Sequence, residues 1–273
     1  MATKTPTPEP NGAEPPRSRL PAPPRNIRIV VEYDGRAFAG WEKQKTGIGV
    51  QQVLEDAILR VTGEKTTVNG AGRTDAGVHA IGQVANFTLK AKTAENTLYR
   101  ALNAVLPAGV AIVALDPASL RFHARFSATG KHYRYTFLND VAPSPLLAPF
   151  SHHIRMRLDL EAMRRAAAHL VGVHDFAAFA KDAAPEDDTV RRITAIELVR
   201  DGRKVVLSLH GDGFLYNMVR IIAGTLLAVG MGRLAPDDVR DILIAKDRSR
   251  AGQTLPPEGL CLVEVYFDAA PGE

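Results

Sequence analysis

"NIRIVVEYDG", residues 26–35, alternates so that Ile27, Ile29, Val31 and Tyr33 fall on one face. A period of two is a strand with one face covered, and the Asp-Gly pair that closes it is turn chemistry. Downstream the period changes. Val50, Val53, Leu54, Ala57, Ile58 and Val61 follow helical spacing, and Gly63 stops the helix. Strands are predicted near 66–70 and 81–89, a helix over 95–105 that ends at Pro107, and a strand at "VAIVAL", 110–115. The order is β-α-β-β-α-β. It recurs in the second half. "KHYRYTFL", 131–138, is a strand, and Asp159 caps a helix through Leu160, Met163, Ala167 and Leu170. Strands follow at 190–199 and 204–210, then a long apolar helix over 214–230, an extra helix from Pro236, and a last strand at 259–267. The expected fold is α+β: two tandem ferredoxin-like units forming a largely antiparallel sheet, with helices on one side and an RNA-binding cleft between the units. The expected divisions are a disordered proline-rich tail over 1–26, an N-terminal unit over 27–118 and a C-terminal unit over 119–273.

Composition narrows the partner. The chain has 273 residues, a net charge of +4 and a pI of about 9.2, which favours an anionic ligand such as nucleic acid. Part of that excess sits on the tail, where Lys4, Arg17, Arg19 and Arg25 face only Glu9 and Glu14. Eight of the 18 prolines also fall there, and no apolar run precedes them, so a secretory signal is not expected. The single cysteine, Cys261, lies in the apolar run "GLCLVEVYF" and reads as core; it leaves no intramolecular disulfide and no thiolate-rich zinc site. A reducing, cytoplasmic setting fits. "IIAGTLLAVGMG", 221–232, is too short to span a bilayer, so no membrane association is expected.

Chemistry concentrates in "NGAGRTDAGVHA", 69–80. Gly70, Gly72 and Gly77 surround Arg73 and Asp75. This is neither G-x-G-x-x-G, since Asp75 stands at the third glycine, nor a P-loop, and no G-x-S-x-G elbow occurs in the chain. His169 and His174 lack zincin spacing, so no metal is expected. Glycines here let a ligand come close to the backbone beside one cation and one carboxylate. Three other stretches belong with it. "SLRFHARFSATGKHYRYTFL", 119–138, carries four basic residues and five aromatics with no carboxylate, a pattern suited to phosphates and exposed bases. Arg220 sits in "FLYNMVRIIAGTLLAV", where burial demands a carboxylate from elsewhere. "KDRSRAGQTLPPEGL", 246–260, is a basic loop that feeds the last strand.

Together these residues resemble the tRNA pseudouridine synthases of the TruA family. The carrying motifs are "GAGRTDAGVHA" (70–80), "RFHARFSATGKHYRY" (121–135), "NMVRIIAG" (217–224), "AGQTLPPEGL" (251–260) and "DGRAFAGWEKQ" (34–44). The match runs from about Ile27 to Phe267 and departs at Leu255, where an alanine is expected before the paired prolines. The resemblance implies isomerisation of uridine to pseudouridine at tRNA positions 38, 39 and 40 in the anticodon arm, without metal, nucleotide or other cofactor, by a homodimer. It implies Asp75 as the catalytic aspartate, Arg220 as its partner, Tyr133 as the aromatic that packs on the target base, and Arg73 as the arginine that helps flip it; the Tyr133 hydroxyl is a further catalytic candidate, for handling the C5 proton. Phe122, His123, Ala124, Arg125 and Phe126 are implied as substrate-binding neighbours. Whether the Asp75 carboxylate attacks C1′, attacks the base or abstracts a ribose proton stays open.

Two rivals share some of these features. An RNA-recognition module has the same element order, but it would not need Asp75 and should carry a K/R-G-F-G-F run. A metal-dependent nuclease should carry a carboxylate cluster, and "PEDD", 185–188, reads instead as a solvated loop.

Overall fold

The computed structural model describes residues 23–184 and 186–268. The expected tail lies outside them up to residue 22, and at its end Arg25 and Asn26 already belong to the first strand. In chain order the elements are β1 (Arg25–Tyr33), α1 (Val50–Thr62), β2 (Asn69–Gly70), β3 (His79–Leu89), α2 (Glu95–Val105), β4 (Val110–Ala118) and β5 (Ala128–Asn139). There follow β6 (His152–Ile154), α3 (Leu160–Ala168), β7 (Gly172–Asp175), β8 (Val190–Asp201), β9 (Lys204–Gly211), α4 (Met218–Gly230), α5 (Asp238–Ala245) and β10 (Leu260–Phe267).

The class is α+β, with a mostly antiparallel mixed sheet of order β4-β1-β3-β10-β5-β9-β8-β7; β2 adds to β3 and β6 to β5. Each half places its strands in the same spatial order: β4-β1-β3-β2, then β10-β5-β9-β8. The halves meet where β10 runs parallel to β3, over only two residue pairs, Cys261 with His79 and Leu262 with Ala80. That junction adjoins the end of the glycine-rich loop.

The alternation read from the sequence decides which face is covered. Ile27, Ile29, Val31 and Tyr33 of β1 and Tyr133, Tyr135 and Phe137 of β5 are buried, while Arg28, Val30, Glu32, Arg134 and Thr136 between them stay half-buried or exposed. The buried face packs with Leu54, Ile58, Leu98 and Leu102 in one half and Met163, Ile221, Ile222 and Leu226 in the other, in one continuous core.

Local chemistry sets the ends of the elements. Gly63 ends α1 in the left-handed conformation, φ 73°, and the Asp159 carboxylate accepts from Ala162 N at 2.9 Å to start α3. Asp34 caps a 3-10 turn over Gly35–Ala37 rather than a simple two-residue turn. The strand expected over 66–70 shrinks to Asn69–Gly70, because Val68 N donates to the Glu55 side chain at 3.0 Å instead of to a neighbouring strand. The helix expected from 214 begins at Met218, since Asn217 is left-handed (φ 59°) and interrupts the run. The helix expected from Pro236 begins at Asp238.

Helix α4 is apolar nearly all round and is covered on several sides. A Cβ on Gly224 would lie 2.0 Å from the Gln253 carbonyl, and one on Gly230 would lie 2.6 Å from the Met163 sulfur. Small residues thus let α3 and the loop before β10 close over the helix. Arg220 is the one charge in this setting.

Candidate active site

The loop between β2 and β3 is pinned by its backbone. Ala71 N donates to Val84 O at 2.8 Å, Gln83 Nε2 to Gly72 O at 2.8 Å, and Trp41 N to Thr74 O at 3.0 Å. The hydroxyls of Thr74 and buried Tyr33 share a 2.8 Å hydrogen bond. Val78 N then donates to Asp75 O at 3.1 Å, closing a turn with Gly77 at φ 80°. Asp75 therefore leaves a loop held from three sides.

The glycines serve packing more than ligand access. A Cβ on Gly70 would sit 2.4 Å from the Trp41 indole, and one on Gly77 would sit 2.7 Å from the Pro257 ring. Gly70 and Gly72 both line the space beside Asp75, and at Gly72 a Cβ would meet Lys131 Cε at 3.1 Å and the Tyr133 hydroxyl at 3.9 Å. The sequence-based reason for these glycines, room for a nucleotide, is corrected for Gly70 and Gly77: the chain itself fills that room.

Across the sheet junction, Arg220 Nη1 lies 3.1 Å from Asp75 Oδ2, over 145 residues of sequence. The same nitrogen donates to Asn217 Oδ1 at 2.5 Å, and Nε donates to Leu255 O at 2.7 Å. The two charged side chains keep 15% and 22% exposure, so the pair is sheltered but open at one edge. Such a guanidinium fixes the direction of the carboxylate. The basic loop before β10 does the holding: Leu255 is fully buried, and Arg248 braces the loop through Gly252 O at 3.0 Å and Thr254 Oγ1 at 3.1 Å.

Asp75 opens on a cavity of about 750 Å³. Tyr133 lines it at 7% exposure, with Phe214 edge-on at 5.2 Å. Burial, with Tyr33 and Asp75 nearby, pushes the Tyr133 hydroxyl well above the usual tyrosine range, so it stays protonated. Burial, with Arg125 and Arg191 close by, lowers the Lys131 ammonium from its usual value.

The remaining expected residues divide. Arg73, His123, Arg125 and Phe126 line the cavity, and Phe126 is 79% exposed. Arg73 pairs with Glu42 at 2.6 Å, and both side chains are substantially exposed, a type of pair worth about 0–1 kcal/mol that a phosphate can displace. Phe122 and Ala124 do not line it. Phe122 packs on Phe267 at 5.3 Å, and Ala124 is fully buried, its N–H donating to Asn86 Oδ1 at 2.8 Å. The segment is a run of turns, with Phe122 N donating to Ser119 O at 2.9 Å and Ser127 N to His123 O at 2.8 Å, and this path packs Phe122 and Ala124 against the core.

Sequence reasoning did not single out Asn217, Phe214, Tyr216 or Gln83 for the site. Phe214, Tyr216 and Asn217 stood within a quoted stretch, but the left-handed turn that aims Asn217 left no pattern. Cys261 is also corrected. It is half-buried on the other sheet face, beside a smaller cavity of about 300 Å³ with His79 and Arg134, and burial pushes its thiol up to about 11. Among the described residues no helix is long and apolar enough to cross a membrane.

A family model described as tRNA pseudouridine synthase matches residues 29–127 and 166–268. Arg73, Asp75 and Arg220 fall inside those ranges, and Tyr133 falls between them. The chain is 46% identical over 243 residues to a tRNA pseudouridine synthase A of Acetivibrio thermocellus, covering 89% of this chain and 100% of that one. It is 46% identical to one of Geotalea uraniireducens and 44% identical to one of Geobacter sulfurreducens, with the same coverage. With about three quarters of its length inside the family model and its similarity spanning whole relatives, the chain belongs to the tRNA pseudouridine synthase family.

Proposed function

We propose that the protein isomerises uridine to pseudouridine in tRNA, at positions 38, 39 and 40 of the anticodon arm, with Asp75 as the reacting group. The observation that carries this reading is the Asp75–Arg220 contact, 3.1 Å, at the wall of a basic, aromatic-lined cavity. In the reaction the C1′–N1 bond breaks, the detached uracil turns, and a C5–C1′ bond forms. The C5 proton is lost and N1 gains one, so atoms balance without any cofactor. An ionised carboxylate held by a guanidinium suits each role open to Asp75: attack on C1′, attack on the base, or removal of a ribose proton.

The other residues take supporting roles. Tyr133 packs on the flipped base, and Arg73 exchanges Glu42 for RNA and occupies the stack the base vacates. His123, Arg125 and Phe126 contact the flanking nucleotides, while Phe122 and Ala124 hold that segment in place. Lys131 and Arg191 add positive potential. The repeated strand order supports reading the halves as tandem ferredoxin-like units with the RNA between them. The same reading carries a cytoplasmic homodimer.

The test is nucleoside analysis of an anticodon-arm RNA after incubation with the purified protein. Pseudouridine at positions 38–40 is expected. RNA binding with no pseudouridine would replace this reading with that of a non-catalytic RNA-binding module.

A further inference from the structure

The side-chain amide of Asn217 is committed at one corner and uncommitted at the other. Asn217 stands before α4 at φ 59° and ψ 6°, a region that asparagine tolerates better than most side chains. Its side chain does not cap the helix that follows. Oδ1 instead accepts from Arg220 Nη1 at 2.5 Å. A guanidinium carries only donors, so the amide must turn its oxygen to Arg220, and this fixes where Nδ2 points. Among the described residues Nδ2 has no hydrogen-bond acceptor, and it is not among the sealed, unpartnered atoms. Asn217 lines the same cavity as Asp75, Lys131 and Tyr133 while only 7% exposed. A polar donor is thus held in a sheltered wall, on a strained backbone, beside the reacting carboxylate.

We propose that Asn217 is a substrate-binding residue: Nδ2 donates to one of the two carbonyl oxygens of the target uracil while Oδ1 holds Arg220 against Asp75. This rests on the synthase reading and deepens it. Uracil offers O2 and O4 as its strong acceptors, and an amide NH₂ can address either. When the C1′–N1 bond breaks, its electron pair passes to the uracil ring and spreads onto those oxygens. A fixed donor there gains strength as the bond breaks, so the contact favours the transition state over the bound ground state. One amide therefore ties the base to the Asp75–Arg220 pair.

The test crosses protein variants with substrate atoms. Asn217→Asp keeps an acceptor for Arg220 and removes the donor; Asn217→Gly removes the side chain; both residue types accept the left-handed backbone. Each protein is given anticodon-arm RNA whose target is uridine, 2-thiouridine or 4-thiouridine, sulfur being the weaker acceptor. Wild type is expected to lose about tenfold in kcat/KM on one of the two thio substrates, the scale of one hydrogen bond. In both variants that penalty should shrink below about twofold, while kcat on uridine falls and RNA affinity holds. A thio penalty equally large in wild type and variants would overturn the proposal and leave Asn217 as a support for Arg220 alone. So would the lack of any thio penalty in wild type. A wild type that binds the uridine RNA and converts none of it would remove the synthase reading, and this contact with it.

Discussion

Replacing Arg220 by methionine keeps most of the side-chain length and apolar stem but removes every donor. The structure sets the loss. Asp75 Oδ2, Asn217 Oδ1 and Leu255 O lose contacts of 3.1, 2.5 and 2.7 Å. Hydrogen bonds to charged groups contribute about 1.5–3 kcal/mol each where water is excluded. Here the side chains keep 15% and 22% exposure, so water recovers part of the loss at the carboxylate. The net cost is about 2–4 kcal/mol, a fall in Tm of roughly 5–15 °C for a domain of this size. Arg220→Lys separates charge from shape: an ammonium can face Asp75 but cannot also reach Leu255 O with the fork geometry of a guanidinium. It should recover part of the Tm and little of the turnover. Thermal melts paired with pseudouridine formation read both. Arg220→Met melting within about 2 °C of wild type, or Arg220→Lys with full turnover, would refute the idea that this fork organises the site.

Tyr133→Phe should melt close to wild type, because no hydrogen bond to the hydroxyl is lost, yet turn over about 100-fold more slowly if that hydroxyl handles the C5 proton; an unchanged rate would leave Tyr133 a packing surface only. Gly77→Ala should cost about 2–4 kcal/mol, since φ is 80° and the new methyl would meet Pro257 at 2.7 Å. Gly63→Ala, with φ 73° and nothing within 4 Å, should cost only about 1–2 kcal/mol, and equal losses in urea melts would contradict the packing account. Burial lowers the pKa of His79, His132 and His152 below 6.5. Their neutral forms fold best, so that stability is fully present above pH 6.5 and is lost as pH falls through the folded-state values. Tm should therefore drop on acidification from neutral pH, and His132→Gln, which removes the imidazole stacked on His210 at 4.0 Å, should flatten the drop; an unaltered slope would exclude His132 as a source.

Periodicity revealed the sheet because burial obeys it. The alternation of Ile27 to Tyr33 and of Tyr133 to Phe137 marks the covered face directly. Short elements such as His152–Ile154 and Gly172–Asp175 gave no signal, since three or four residues hold no period and form only by pairing with β5 and β8. The need of Arg220 for a distant carboxylate was legible from charge in an apolar helix. The identity of its other partners was not, because a backbone carbonyl such as that of Leu255 carries no side-chain signature. The glycines were misassigned for a related reason. Composition tells that something approaches the backbone at Gly70 and Gly77, and only coordinates tell that it is Trp41 and Pro257. Phe122 and Ala124 counted as ligand contacts because they share a motif with His123, Arg125 and Phe126, and only the path of the turns shows that they pack on the core instead.

The most direct test measures tritium released from C5 of a single labelled uridine in an anticodon-arm RNA, with wild type and Asp75→Asn compared at equal RNA occupancy. The account predicts release by wild type with no added metal, and none by Asp75→Asn although it binds the RNA as tightly. Release by Asp75→Asn at the wild-type rate would show that the carboxylate facing Arg220 is not where the chemistry happens.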